Sequence, residues 1–194
     1  MNEKTELLGA IAGRNRGLLA GEIDRANLLS AIAQLEAVNP TPNPLERSDL
    51  LDGDWRLLYT TSQDLLGFDR LQLLQTGAIY QSIRSAQRRV CNVAEFLGPP
   101  LLEGVFAVLA SFEASSDTRV EVCFQRTVTG LQRALGYRSP GDLLERLERG
   151  ERFWPLDFDL SDRERRGWLE TTYLDADLRV GRGDKGSVFV LRKD

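Results

Sequence analysis

Alternation of apolar and polar residues begins at residue 53 and runs through most of the remaining chain. It is clearest at residues 54–62, 78–83, 88–96, 104–113 and 118–128, which turn-forming stretches such as EASSDT separate. A period of two places successive side chains on opposite faces of a β-strand. Short strands in series, with turn signals between them, predict a β-sandwich or a β-barrel.

The segment before residue 53 has helical spacing instead, in two apolar runs within residues 5–38. Gly21 separates the two runs, and Asp24 is the expected N-cap of the second helix. Three prolines, the last of them Pro44, then stop the helix and make a stiff connector. We therefore divide the chain into an N-terminal helical arm, residues 1–45, and a barrel domain, residues 46–194.

Residues 130–166 break the strand pattern. The string SPGDLLERLERG predicts a short helix with Ser139 as N-cap, Pro140 in the first turn and Gly150 just past the end. After it, RFWPLDFDL is a short apolar run that fits either a strand or a lid over an opening. The expected fold class is thus mainly β: an antiparallel barrel with N-terminal helices and a short helix inserted before the last strands.

The final stretch, GWLETTYLDADLRVGRGDKGSVFVL, predicts three strands joined by two tight turns. Its charged residues are Asp175, Asp177, Arg179, Arg182 and Asp184. A catalytic or calcium-binding cluster would need their side chains to converge, whereas turns direct them outward. We interpret them as turn residues and outer-face charges, with Asp175 and Asp184 bonded to their own turn amides.

Composition excludes several classes of function. The chain has no histidine, which removes Ser-His-Asp and Cys-His nucleophile systems and His-based zinc sites. Cys91 and Cys123 form no CxxC motif and are expected to be buried free thiols. A net charge of -4 does not favour nucleic acid. No long apolar run or signal peptide is evident, so we expect an untargeted, soluble protein.

Three strings carry a resemblance to a known family: LDGDWRLLYTTS, GAIYQSI and, above all, the final stretch. In the first, Gly53 two residues before Trp55 is similar to the glycine and aromatic ring that close the base of lipocalin barrels. Together the strings resemble the PAP/fibrillin family, the plastid lipid-associated proteins of plants, algae and cyanobacteria. Residues 130–166 match that pattern poorly.

The resemblance implies a non-enzymatic, lipocalin-like barrel that binds hydrophobic small molecules. It also implies association with thylakoids or plastoglobules, photoprotection and prenylquinone metabolism. Without a transit peptide, the chain fits a cyanobacterial member located in the cytoplasm or on the cytoplasmic face of the thylakoid membrane, or a trimmed sequence. The implied ligand is a prenyl lipid, quinone or carotenoid, with no required cofactor and no metal.

Alternation then indicates which side chains face the barrel interior. Arg126 falls on an interior parity, where a guanidinium must reach solvent at a strand end or meet a polar ligand head. Alternation does not show whether the interior is open, because a filled core would use the same residues. The candidate ligand-binding residues are Trp55, Leu57, Tyr59, Phe106, Val108, Phe112, Val122, Phe124, Arg126, Tyr173 and Phe189.

Two other functions remain open from the sequence. Phycobiliprotein chromophore lyases share the barrel type and would use its cavity to hold a bilin. Alternatively, a filled barrel would act as a scaffold that docks a prenyl-synthase partner, and a cavity smaller than about 300 Å³ would favour it. Peripheral contact with a thylakoid membrane is a further expected interaction.

Overall fold

Eight strands close into an antiparallel barrel in a computed structural model that describes residues 2–63, 75–154, 156–160 and 166–194. Each strand pairs with its neighbours in the ring, and the pairing of Gly104–Ala114 with Arg119–Leu131 closes it. The ring strands are β1 Gly53–Thr60, β2 Gln75–Arg84, β3 Arg89–Leu97, β4 Gly104–Ala114, β5 Arg119–Leu131, β7 Arg166–Leu174, β8 Leu178–Gly183 and β9 Val188–Lys193. The predicted lipocalin-like barrel is confirmed.

A short strand, β6 Leu156–Asp159, lies beside the ring. It pairs with residues 126–129 of β5, whereas β7 pairs with residues 119–123 of the same strand. The two strands therefore divide one edge of β5 between them. The predicted apolar run after the inserted helix is a strand over residues 156–159, while Pro155 and residues 161–165 lie outside the described residues.

Three of the described helices precede β1, and two lie between β5 and β6. They are α1 Glu3–Ile11, α2 Glu22–Ala37, α3 Ser48–Leu51, α4 Gln132–Leu135 and α5 Pro140–Glu148, with single 3-10 turns at Pro44–Glu46 and Asp184–Gly186. The predicted cap of α5 is confirmed, since Ser139 accepts a hydrogen bond from the Asp142 N–H at 3.1 Å. The predicted cap of α2 is wrong: Gly21 is the N-cap, and Asp24 bonds back to its N–H at 3.3 Å.

Helices cover the outside of the barrel on two sides. Helices α1 and α2 pack on the outer faces of β8 and β9, in a cluster that includes Leu28, Val180 and Val190. Helix α5 packs on the outer faces of β3 and β4 through residues such as Leu143. Several strands are therefore apolar on both faces, which weakens their alternation.

Within the described residues the strand register shifts at four points of the ring, one of them in β2 opposite β3, and the other three β-bulges change the face that a candidate residue occupies. Each adds one residue to its strand: Leu58 in β1 opposite β9, Gln125 in β5 opposite β4, and Thr172 in β7 opposite β8. A bulge reverses the parity of all residues that follow it in the strand. As a result, residues that simple alternation assigns to the interior after each bulge lie on the outer face.

The segment between α1 and α2 packs against the end of β1, and this close contact requires a glycine at position 17. The Arg16 carbonyl accepts the Thr60 N–H at 3.0 Å, which holds this segment against the strand. Gly17 has φ of +103°, and a Cβ there would lie 2.7 Å from the Thr60 carbonyl oxygen. A larger residue must therefore adopt a strained backbone and displace the strand end.

We expect Gly17→Ala to lower the free energy of unfolding by about 1–3 kcal/mol, because it combines left-handed strain with a backbone clash. Gly13→Ala is the matched control, since Gly13 also has positive φ but faces open space. Urea denaturation of the two variants measures the difference. Equal losses would show that the close approach to Thr60 contributes nothing.

Candidate functional site

The barrel encloses a cavity of about 410 Å³. That volume falls within the range of roughly 300–1,000 Å³ typical of small-molecule sites. It extends from Leu51, beside the start of β1, to Ser62 and Gly183 near the opposite ends of their strands. We call the first end, defined by Gly53, the base, and the opposite end the far end. The apolar lining of the whole cavity includes Leu57, Ile79, Ile83, Val90, Phe106, Val108, Phe112, Val120, Val122, Phe124, Phe189 and Leu191.

Seven of the eleven candidate residues line this cavity: Leu57, Phe106, Val108, Phe112, Val122, Phe124 and Phe189. Most of these side chains are half-buried although they belong to the barrel core. Their exposed surface faces the cavity rather than a neighbouring side chain. The structure therefore brings these residues together around an interior that they do not fill.

Trp55 lies in the same core but does not line the cavity. Its side chain is fully buried, and its indole N–H donates to the Leu51 carbonyl at 2.8 Å. Leu51 closes α3, so this bond ties the short helix to the base of the barrel. The ring is therefore part of the base rather than of the wall.

The two tyrosines lie on the outer face. Tyr59 and Tyr173 each follow a bulge, at Leu58 and Thr172, and both pack in the cluster beneath α1 and α2. The Tyr173 hydroxyl donates to Asp175 at 2.7 Å. The interior placement predicted by alternation is wrong for both residues, because each bulge shifts the parity by one.

Arg126 is also outside the cavity, and the bulge at Gln125 is again the reason. Its guanidinium makes two bonds to the buried Asp157 of β6, from Nε at 2.8 Å and from Nη2 at 2.6 Å. This pairing lowers the pKa of Asp157. The predicted interior position of Arg126 is wrong, and its partner is a protein carboxylate that holds β6 to β5.

Arg179 is a cavity residue that the sequence interpretation placed on the outer face. It is 2% exposed, and its Cα partner in β9 is the inward-facing Leu191. Its guanidinium carbon lies 5.0 Å from the centroid of the Trp55 ring, and Nη2 donates to the Gln81 side-chain oxygen. Burial lowers the pKa of Arg179 to about 9, so it remains charged at neutral pH.

Gln81 and Asn92 complete a small polar group in this apolar cavity. The Gln81 amide nitrogen donates to the Asn92 side-chain oxygen at 2.9 Å, and both residues line the cavity with Arg179. One feature of the sequence indicates this site: Arg179, Gly181 and Gly183 occupy alternate positions of β8 and therefore lie on the same face of the strand. That pattern is hard to recognise because the strand is short and turn residues flank it on both sides.

Asp175, Asp177 and Arg182 of the final stretch do stabilise a turn and outer contacts, whereas Asp184 lines the cavity near its far end. Asp175 accepts hydrogen bonds from the N–H groups of Asp177 and Leu178, at 3.0 and 2.8 Å, as predicted. It also pairs with Lys4 of α1 at 2.8 Å. Arg182 pairs with Glu36 of α2 at 2.6 Å. Asp177 also pairs with Lys4, so three of these charges hold the helices to the barrel.

The pKa of Asp175 is lowered to about 2: burial raises it, but bonds from Lys4, Tyr173 and the two turn amides outweigh that effect. A carboxylate whose pKa is depressed on folding contributes stability above its unfolded pKa and loses it as pH falls through the folded value. That window lies between about pH 4 and pH 2.

We expect Asp175→Asn to lower the free energy of unfolding at pH 7 by about 1–2 kcal/mol, a value reduced because the carboxylate is partly solvated. The variant should also lose part of the wild-type decline in stability between pH 4 and pH 2. Chemical denaturation across that range measures both effects. Asp117→Asn, in the exposed turn between β4 and β5, is the control and should change neither.

The described residues contain no group of three or more His, Cys, Asp or Glu placed to hold a metal ion. No helix in the described part of the chain has the length and apolar character needed to span a bilayer. Cys91 and Cys123 are both free, as predicted, but only Cys91 is buried and Cys123 is half-buried.

Comparison with known proteins decides the family. The PAP_fibrillin family model matches residues 1–192. The chain belongs to the PAP/fibrillin family. This assignment confirms the resemblance seen in the sequence, and it agrees with the prediction of a lipid-associated, non-enzymatic protein.

Curated relatives of this PAP/fibrillin protein come from plant plastids. The chain is 36% identical to plastoglobulin-1 of Pisum sativum, over 98% of this chain and 60% of the relative. It is 34% identical to a chromoplast-specific carotenoid-associated protein of Cucumis sativus, over 98% of this chain and 67% of the relative. A plastid-lipid-associated protein of Citrus unshiu is 36% identical over 100% of this chain and 68% of its own length. No solved structure matches the chain.

Proposed function

We propose that this protein binds a hydrophobic small molecule, such as a prenylquinone, a carotenoid or another lipid, inside its barrel. The observation that carries the proposal is the apolar cavity of about 410 Å³, lined by aromatic and branched side chains from most strands of the ring. The name of the Cucumis sativus relative, a carotenoid-associated protein, supports a ligand of this class.

The two alternatives have less support. A cavity smaller than about 300 Å³ would favour a scaffold that docks a prenyl synthase, but the observed cavity of about 410 Å³ is larger than that. A bilin lyase shares the barrel and the cavity, but the family to which the chain belongs consists of lipid-associated proteins. Absorbance changes on mixing with a bilin distinguish this alternative from lipid binding.

Filling the cavity tests the proposal directly. Val108 lines it from β4, pairs with Thr127 of β5 and is half-buried, so a larger side chain there extends into the empty space. We expect Val108→Phe to reduce affinity for a short-chain prenylquinone by about tenfold or more, because the ligand and the new ring compete for volume. Quenching of tryptophan fluorescence on titration measures the affinity.

Val38→Phe is the control, because Val38 is exposed at the end of α2 and lies outside the cavity lining. It should bind the quinone as the wild type does. Far-ultraviolet circular dichroism checks that both variants fold. Unchanged affinity in a folded Val108→Phe protein would contradict binding inside the barrel.

We also propose that the far end of the barrel contacts a lipid surface, such as a thylakoid membrane or a plastoglobule. Leu97 ends β3, Leu101 and Leu102 lie in the following loop, and Leu131 ends β5, all at this end. These four leucines are 40–58% exposed. Together they give this end an apolar surface suited to insertion among lipid headgroups.

A triple variant, Leu97→Ser, Leu101→Ser and Leu102→Ser, should lose most of the binding to neutral galactolipid vesicles in a flotation assay. The reason is that burial of the leucine side chains among the lipids supplies the binding energy, because a protein of net charge -4 gains no electrostatic attraction to a neutral vesicle. Val38→Ser serves as control: Val38 precedes Asn39, which accepts the Leu174 N–H near the base. Equal flotation of all three proteins would contradict docking through the far end.

A further inference from the structure

We infer that Arg179 anchors the head of the bound ligand, and that this ligand is an amphiphile with a carboxylate head and a long apolar tail. The inference rests on the proposed function, since it needs a ligand in the barrel. It specifies a chemical class that the apolar lining alone does not, because that lining accepts neutral and acidic lipids equally.

The first argument is the position of the charge. Arg179 is buried near the base, and within the described part of the chain its side chain makes one hydrogen bond, from one terminal nitrogen to the neutral side-chain oxygen of Gln81. Among the residues that the structure describes, no carboxylate pairs with it, and its Nε has no hydrogen-bond partner. Within the described residues, the guanidinium is therefore a buried cation without a counterion.

The second argument compares it with the buried arginine on the outer face. Arg126 is also largely buried, but Asp157 bonds both its Nε and one terminal nitrogen. A buried cation costs several kcal/mol when it lacks such a partner. The Arg126 guanidinium, outside the barrel, thus has a protein carboxylate as its partner. The Arg179 guanidinium, inside the barrel, is available to an incoming anion.

The third argument is the shape of the wall beside Arg179. Gly181 and Gly183 follow it on the same face of β8, and all three line the cavity. A Cβ at Gly181 would meet Leu169 at 3.4 Å, and a Cβ at Gly183 would meet Phe189 at 3.1 Å. The glycines therefore keep the wall thin between Arg179 and the far end, along the path that a ligand tail would follow.

These features indicate the ligand chemistry. A carboxylate accepts two parallel N–H bonds from a guanidinium, which matches the free Nε and supplies the missing counter-charge. A quinone carbonyl is neutral and would leave the cation uncompensated. A fatty acid of about sixteen carbons is the simplest molecule of this class, with its head at the base and its tail directed to the far end.

Calorimetric titration with hexadecanoate and with hexadecanol tests the inference, because the two differ only in the head group. We expect the wild type to bind the carboxylate about tenfold or more tightly than the alcohol. Arg179→Met should remove this preference while retaining the alcohol affinity. Arg179→Lys keeps a positive charge and should retain part of the preference.

Arg192→Met is the matched control, since Arg192 is an exposed arginine on the adjacent strand β9. It should preserve the wild-type preference. Circular dichroism and thermal melting confirm folding, and Arg179→Met should melt no lower than the wild type because it removes an uncompensated buried charge. If Arg179→Met does not fold, Gln81→Leu replaces it, and a changed head-group preference is then expected from loss of the contact that orients the guanidinium.

The outcomes separate this inference from the proposed function. Equal affinity of the wild type for acid and alcohol, or an unchanged preference in Arg179→Met, overturns the role of Arg179 while ligand binding in the barrel stands. If neither of the two probes binds saturably and a prenylquinone does not bind either, the proposed function itself is overturned.

Discussion

Ring closure is the constraint on which the rest of this structure depends. Strand β1 pairs with both β2 and β9, so the first and last strands of the barrel lie side by side. Closure leaves no open edge in the ring, and it holds the inward faces of eight strands around one volume. Because the interior is wider than its own side chains fill, closure creates both the apolar cavity and the isolation of Arg179 from water.

Alternation was enough to predict the barrel, its strands and the residues that line the cavity before each bulge. Leu57 and Phe124 precede bulges and face the cavity, whereas Tyr59 and Arg126 follow them and face outward. A bulge adds one residue through local backbone geometry, and no residue type marks its position in the sequence. The errors therefore fall at these points rather than at random.

Arg179 was missed for a different reason. Its neighbours Asp177 and Arg182 do form ion pairs on the outside of the barrel, so an arginine between them is also expected to lie outside. Charged residues are almost never fully buried without a partner, so the ordinary expectation for an arginine is the surface. Only the register of β8 against β9, which depends on the turn between them, places this side chain inside.

The divided edge of β5 has a consequence for how the chain can vary. Strand β7 completes the ring through the first half of β5, while β6 occupies the second half outside it. The chain from the end of β5 to the start of β7 is therefore an excursion that leaves the ring and returns to the same strand. The length and sequence of this excursion can therefore change without altering any pairing of the eight ring strands.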